Sequence, residues 1–121
     1  MINKKEIKRQ YKETKQPMGI YRITDSVNGK IFIGSSKCVD TIFNSARFQL
    51  KMGSHFNKEL QKAFNRHGEA SFLFDVVDHL EPNDDPGYDY SNDLRVLEEM
   101  WLEKLRPYDE KGYNSRKTTM V

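Results

Sequence analysis

Gly19-Ile20-Tyr21, an Asn28-Gly29 pair and Phe32-Ile33-Gly34-Ser35-Ser36 together decide the fold of this chain. The residues around them, about 18–24 and 30–35, are rich in β-branched and aromatic side chains, which suit a pleated and half-buried surface. Asn and Gly tolerate the positive φ of tight hairpin turns, so the two runs are expected to pair antiparallel.

Working outward, the chain has 121 residues, near the commonest size for a single core. Its content of 36% hydrophobic and 31% charged residues suits a water-soluble domain. No apolar run approaches the ~20 residues that cross a bilayer, and no apolar segment follows the lysine-rich start. The chain is therefore expected to have no membrane span and no signal peptide. Cys38 is the single cysteine and cannot form an internal disulfide, which points to the cytoplasm. It follows a strand with nothing to place a histidine beside it, and reads as an ordinary thiol.

The net charge of +2 says little, whereas its distribution says more. Residues 1–16 carry Lys4, Lys5, Lys8, Arg9, Lys12 and Lys15 against Glu6 and Glu13, and are expected to form a basic helical extension to a domain over 17–121. Such an arm is either a phosphate contact or a solvated helix face. Residues 78–93 carry Asp78, Glu81, Asp84, Asp85, Asp89 and Asp93 with no Lys or Arg. That acidic segment would repel a phosphate backbone and belongs away from any nucleic-acid surface. Asp84, Asp85 and Asp89 lack the spacing and glycine placement of a calcium loop and read as solvated loop.

Further signals complete a β-β-α-α-β-loop-α order. Asp40 is placed to cap a helix ending at Met52, stopped by Gly53, and a second helix runs over about 57–67 before Gly68. Phe72-Leu73-Phe74-Asp75-Val76-Val77 is apolar on both faces, as a buried central strand would be. The Pro- and Asp-rich stretch 81–90 is a loop, and Ser91, Asn92 or Asp93 caps a last helix to about Arg106. The expected fold is an α/β (α+β) sandwich around a three-stranded antiparallel sheet.

The last helix holds the clearest chemical clue. Leu94, Leu97, Trp101 and Leu105 form one apolar stripe at about 100° per residue, and Glu98 falls inside it. A carboxylate facing a core needs a partner: a metal ion, a buried Arg or Lys, or an opening to solvent. The spacing alone leaves a structural ion pair and a metal or catalytic role both open.

These pieces are similar to the GIY-YIG nuclease family, and most to its phage and intron homing endonuclease branch. The resemblance rests on Gly19-Ile20-Tyr21, Gly34-Ser35-Ser36, Gly53-Ser54-His55, Leu60-Gln61 through Arg66-His67-Gly68, Glu98 with Trp101, and Gly112-Tyr113-Asn114, in family order across about 17–114. It implies metal-dependent phosphodiester hydrolysis of DNA. In that chemistry Tyr21 would activate the nucleophile, and Glu98 would hold one divalent cation, Mg²⁺ or Mn²⁺. The metal polarises the phosphoryl oxygen and stabilises developing charge.

Three positions depart from the family pattern. Phe32 stands at the second-signature tyrosine, Ile42 at the helix arginine, and Ala46 at the His/Tyr one turn later. Ile42, Ala46 and Leu50 share one apolar stripe, so that face reads as core. Arg47, at its edge, is the candidate for a migrated arginine. His55 matches a family histidine or merely caps a junction, and Asn114 is a supporting group or a turn residue. His67 lies on the Leu60/Phe64 stripe and reads as core.

The expected function is nucleic-acid binding by a nuclease-derived fold with a degenerate site and weak or lost activity. Its metal would bind weakly, and chiefly with nucleic acid present. The rivals are an active, divergent metal-dependent endonuclease using Tyr21, Glu98 and Arg47, and a protein-interaction or regulatory module in which the cleft has become core and the acidic loop is the contact.

Overall fold

A computed structural model describes residues 18–85 and 87–115. The basic extension expected over 1–16 lies outside them. Strand β1 (Gly19–Asp25) pairs antiparallel with β2 (Ile31–Ser36) in the register Tyr21↔Gly34 and Ile23↔Phe32. The hairpin forms as expected, but its connection is longer than a two-residue turn. Gly29 does take the left-handed φ of 77°. The chain around it is closed by Gly29 N–H donating to the Asp25 carbonyl, and by Val27 N–H donating to the Asp25 carboxylate.

Helix α1 (Val39–Met52) follows, then α2 (Lys58–His67), a short 3₁₀ turn (Glu69–Ser71), β3 (Phe72–His79) and α3 (Ser91–Leu105). Gly53 ends α1 in a left-handed conformation, with its N–H satisfied by the last helical carbonyls. Asn57 caps α2 by accepting from Leu60 N–H. Two expected caps are corrected. Asp40 lies in the first turn of α1, whose N-cap is Cys38 with no side-chain cap bond. On α3 none of Ser91, Asn92 or Asp93 is the cap residue; Tyr90 is, and Asp89 accepts from Ser91 N–H.

The sheet order is β2-β1-β3, so the central strand is β1 and not residues 72–77. β3 is apolar for a different reason. Phe72, Phe74 and Val76 face α1 and α2, whereas Leu73 on its outer side remains exposed. The sheet separates two cores. On one side Tyr21, Ile23, Phe32 and Phe72 pack against Val39, Ala46 and Leu50 of α1 and Leu60, Ala63 and Phe64 of α2. On the other, Ile20 and Ile33 pack under Leu102 of α3. This is the expected α+β arrangement, with three helices around one antiparallel sheet. No described helix is long and apolar enough to cross a membrane.

Candidate functional site

Tyr21 sits at the middle of the central strand, on the α1/α2 side. It is only 4% exposed. Its ring lies across β2 at Gly34, where a Cβ would stand 2.5 Å from the phenolic oxygen. Phe32 and Phe43 pack beside it, each with ring centroids 6.2 Å away. Burial, and then the negative charge of Glu98, push the Tyr21 hydroxyl up to about 12. A phenol so placed stays protonated through the neutral range.

The charge of Glu98, on α3, is felt at this tyrosine. On that helix Leu94 and Leu102 are the buried residues, and Glu98 lies between them at i+4 from Leu94, itself partly buried. The apolar stripe is therefore real, and its deepest line runs through Leu102, a residue the sequence pattern passed over. Glu98 and Tyr21 are thus brought together electrostatically. Among the described residues no group of three or more His, Cys, Asp or Glu side chains is arranged to hold a metal ion.

The α1 face opposite Tyr21 is apolar. Ala46 and Leu50 are buried, and Ile42 and Phe43 pack on the same cluster. Arg47 is exposed and lays its guanidinium over the Phe74 ring, 4.4 Å from its centroid. Phe74 in turn packs on Phe43, at 5.8 Å. Two rings therefore stand between Arg47 and Tyr21.

His55 is buried between aromatic rings, stacked on Phe56 at 4.5 Å and edge-on to Phe32 at 5.8 Å. Its ring Nδ1 accepts from the Asn57 backbone N–H at 3.0 Å, and the backbone N–H of His55 donates to Gln61 Oε1. Burial lowers its pKa, so the ring stays neutral. It thus adjoins the second-signature position and also braces the start of α2. Asn114 acts on backbone: its Oδ1 accepts from Ile33 N–H and its Nδ2 donates to Ile33 carbonyl, both at 2.8 Å. It clips the free edge of β2 and so closes an otherwise open strand.

A second polar cluster was not legible in the sequence. Asp25, at the end of β1, is fully buried. It accepts from the Tyr113 hydroxyl at 2.6 Å, from Val27 N–H, and lies 2.6 Å from His67 Nδ1. His67 is thus the partner of a buried carboxylate and not a core side chain. Burial alone would raise the Asp25 pKa, but the hydrogen bonds from Tyr113, His67 and Val27 outweigh it and hold it below the ordinary value. Burial and Asp25 together push Tyr113 up to about 12. Asp25 lies 42 residues from His67 and 88 from Tyr113, beyond any local pattern.

No protein-family model matches the chain. In sequence it is 29% identical over 97 residues to intron-associated endonuclease 1 of Enterobacteria phage T4, a match covering 79% of this chain and 36% of that protein. The chain thus corresponds to just over a third of the curated relative's length. In structure it resembles the solved catalytic domain of the homing endonuclease I-TevI, with a TM-score of 0.68 and 26% identity, covering 83% of this chain and 99% of that one. A glutamate-to-alanine mutant of the same catalytic domain gives a TM-score of 0.70 at 25% identity, covering 88% of this chain and all of that one. With the two signature runs paired on adjacent strands and the charge of the helix glutamate felt at the signature tyrosine, these likenesses show the fold of the homing endonuclease catalytic domain and support the resemblance to the GIY-YIG nuclease family.

Proposed function

We propose that this domain binds nucleic acid, DNA above all, and that its endonuclease activity is weak or lost. The observation that carries the reading is the surroundings of Tyr21. Where the family resemblance calls for a tyrosine, an arginine and a His or Tyr, Phe32, Ile42 and Ala46 supply apolar packing. A developing phosphorane-like charge would meet phenyl and methyl groups, and losing one electrostatic donor of this kind costs ~10²–10³ in rate. Tyr21 itself is buried and holds its proton to about 12, which opposes a role as general base at neutral pH.

Glu98 is the residue that would hold the family's divalent cation. A Mg²⁺ site commonly uses one or two carboxylates and completes its shell with water and substrate phosphate. One partly buried carboxylate fits a Mg²⁺ or Mn²⁺ ion bound weakly and chiefly in the presence of DNA. Such an ion would polarise a phosphoryl oxygen. Beside it, this chain's own residues supply a protonated phenol at Tyr21 and a neutral imidazole at His55.

Arg47 favours the rival in which the domain is active. Its guanidinium is at the surface and rests on the ring string Phe74–Phe43 that ends at Tyr21. The interaction-module rival draws on the buried tyrosine and on the Lys37–Asp89 contact of 3.8 Å, which brings the acidic segment to the signature loop. Fluorescence anisotropy with labelled single- and double-stranded DNA, with and without Mg²⁺, separates the three. The proposal expects binding that is tightened by Mg²⁺ with no cleaved product. Cleavage would favour the active enzyme, and absence of any binding the interaction module.

A further inference from the structure

Phe56 is the most exposed large apolar side chain among the described residues, at 73%. A phenyl so exposed adds almost nothing to the core, and nothing in the fold calls for it there. It is nevertheless packed on one side. One face lies against the His55 imidazole, 4.5 Å between centroids and 24° from parallel. His55 is itself buried and fixed by hydrogen bonds to Asn57 and Gln61, so the support is rigid. The edge of Phe56 meets Phe32 at 5.8 Å, and Phe32 meets Tyr21 at 6.2 Å. The exposed ring therefore stands at the rim of the site, two ring contacts from the signature tyrosine.

We propose that Phe56 is a stacking platform for one unpaired nucleobase of a strand passing the Tyr21 site. This rests on the nucleic-acid reading above and adds to it a defined contact and a preference for single-stranded or frayed DNA. A planar ring with one face backed and the other open is what base stacking requires, and every base has a matching π-face. A cation stands nearby, and the neighbouring carboxylate of Glu59 is paired with Lys62. Lys58 begins α2 two residues on, is exposed, and makes no ion pair with any described residue, so it is available to the phosphate flanking a stacked base. A protein partner would call for a broader covered patch, since binding hot spots sit inside a rim that excludes water.

The test uses the whole chain, a single-stranded oligonucleotide carrying 2-aminopurine, and a labelled abasic strand of equal length. Native protein should bind the 2-aminopurine strand with quenched base fluorescence. Phe56→Ala should weaken that binding about 5- to 100-fold and remove the quench, since stacking on one aromatic is worth that much. Phe56→Trp should restore both, and Phe48→Ala, an exposed phenylalanine elsewhere on α1, should change neither. Affinity for the abasic strand should be the same for native protein and Phe56→Ala. Equal binding of the base-bearing strand by native and Phe56→Ala protein overturns the stacking role and leaves the nucleic-acid reading standing. Equal loss on both strands also overturns it, since the contact would then not be to a base. If native protein binds neither strand, the nucleic-acid reading falls and this inference with it. Self-association abolished by Phe56→Ala, with DNA binding intact, assigns the ring to a protein contact and overturns the proposal.

Discussion

Tyr21 and Gly34 face each other across β1 and β2, and the tyrosine ring fills the space where a side chain on Gly34 would begin. The two signature runs are thus locked together by packing, before any question of chemistry arises. A Cβ at position 34 would lie 2.5 Å from the Tyr21 hydroxyl oxygen, and the ring has Phe32 and Phe43 beside it. Gly34→Ala should therefore destabilise the domain by about 1–3 kcal/mol through overpacking. Denaturant unfolding measures this, and Gly34→Ala combined with Tyr21→Ala should recover part of the Gly34 component. An unchanged midpoint for Gly34→Ala alone would mean that the ring lies elsewhere.

The loss of stability in acid follows from two buried groups, Asp25 and His55. Asp25 has a depressed folded pKa, so its contribution is present above the unfolded value of ~4 and is lost as pH falls through the folded value. His55 is also depressed, by burial, so its contribution is present above ~6.5 and declines as pH falls below that. Acid should therefore weaken the fold in two stages, the first removed by His55→Gln and the second by Asp25→Asn. A stability that does not fall between pH 7 and 5 would contradict the buried, neutral His55.

At the alkaline end the sign reverses. Tyr21 and Tyr113 are both pushed up to about 12, so the stability they give is full below ~10 and is lost as pH rises from there toward 12. Ultraviolet titration should find two of the six tyrosines ionising last, and Tyr21→Phe should remove one of them. Tyr113→Phe should remove the other, and cost about 1–3 kcal/mol by leaving Asp25 short of a donor.

Most of the fold was legible because it is local. The alternating strands, the Asn57 cap and the Gly53 stop are each written within a few residues. The order of strands was not, because an apolar run on both faces looks the same in the centre of a sheet as on an edge strand whose Val76 and Val77 pack into opposite cores. In the site, Glu98 could be singled out because its neighbours at helical spacing are leucines. The Asp25–His67–Tyr113 cluster could not, since its members meet only when the sheet, α2 and the C-terminal loop close on one another. Asn114 was visible as a polar residue in a turn, but its two bonds to the Ile33 backbone depend on where β2 ends in space.

Rebuilding the family's polar groups should be costly to the fold. Ala46 is 2% exposed, so Ala46→His forces a large ring into a filled core, and about 1–3 kcal/mol of stability should be lost. Ile42→Arg alone should gain little activity, because its charge must be desolvated against an apolar cluster. The triple variant Phe32→Tyr, Ile42→Arg and Ala46→His is the informative one, since such groups act as a unit. Metal-dependent nicking that appears only in the triple variant would support the correspondence of these three positions. A triple variant that folds and stays inactive would contradict it.

On the proposed reading, the signature residues serve packing and binding with little or no cleavage. The most direct measurement is supercoiled-plasmid nicking by purified native chain in Mg²⁺ and in Mn²⁺, run beside Glu98→Ala and Tyr21→Phe and paired with anisotropy on the same DNA. The account predicts DNA binding by the native chain, with nicking no faster than that of Glu98→Ala. Rapid nicking by the native chain, abolished by either substitution, would contradict it and establish an active nuclease.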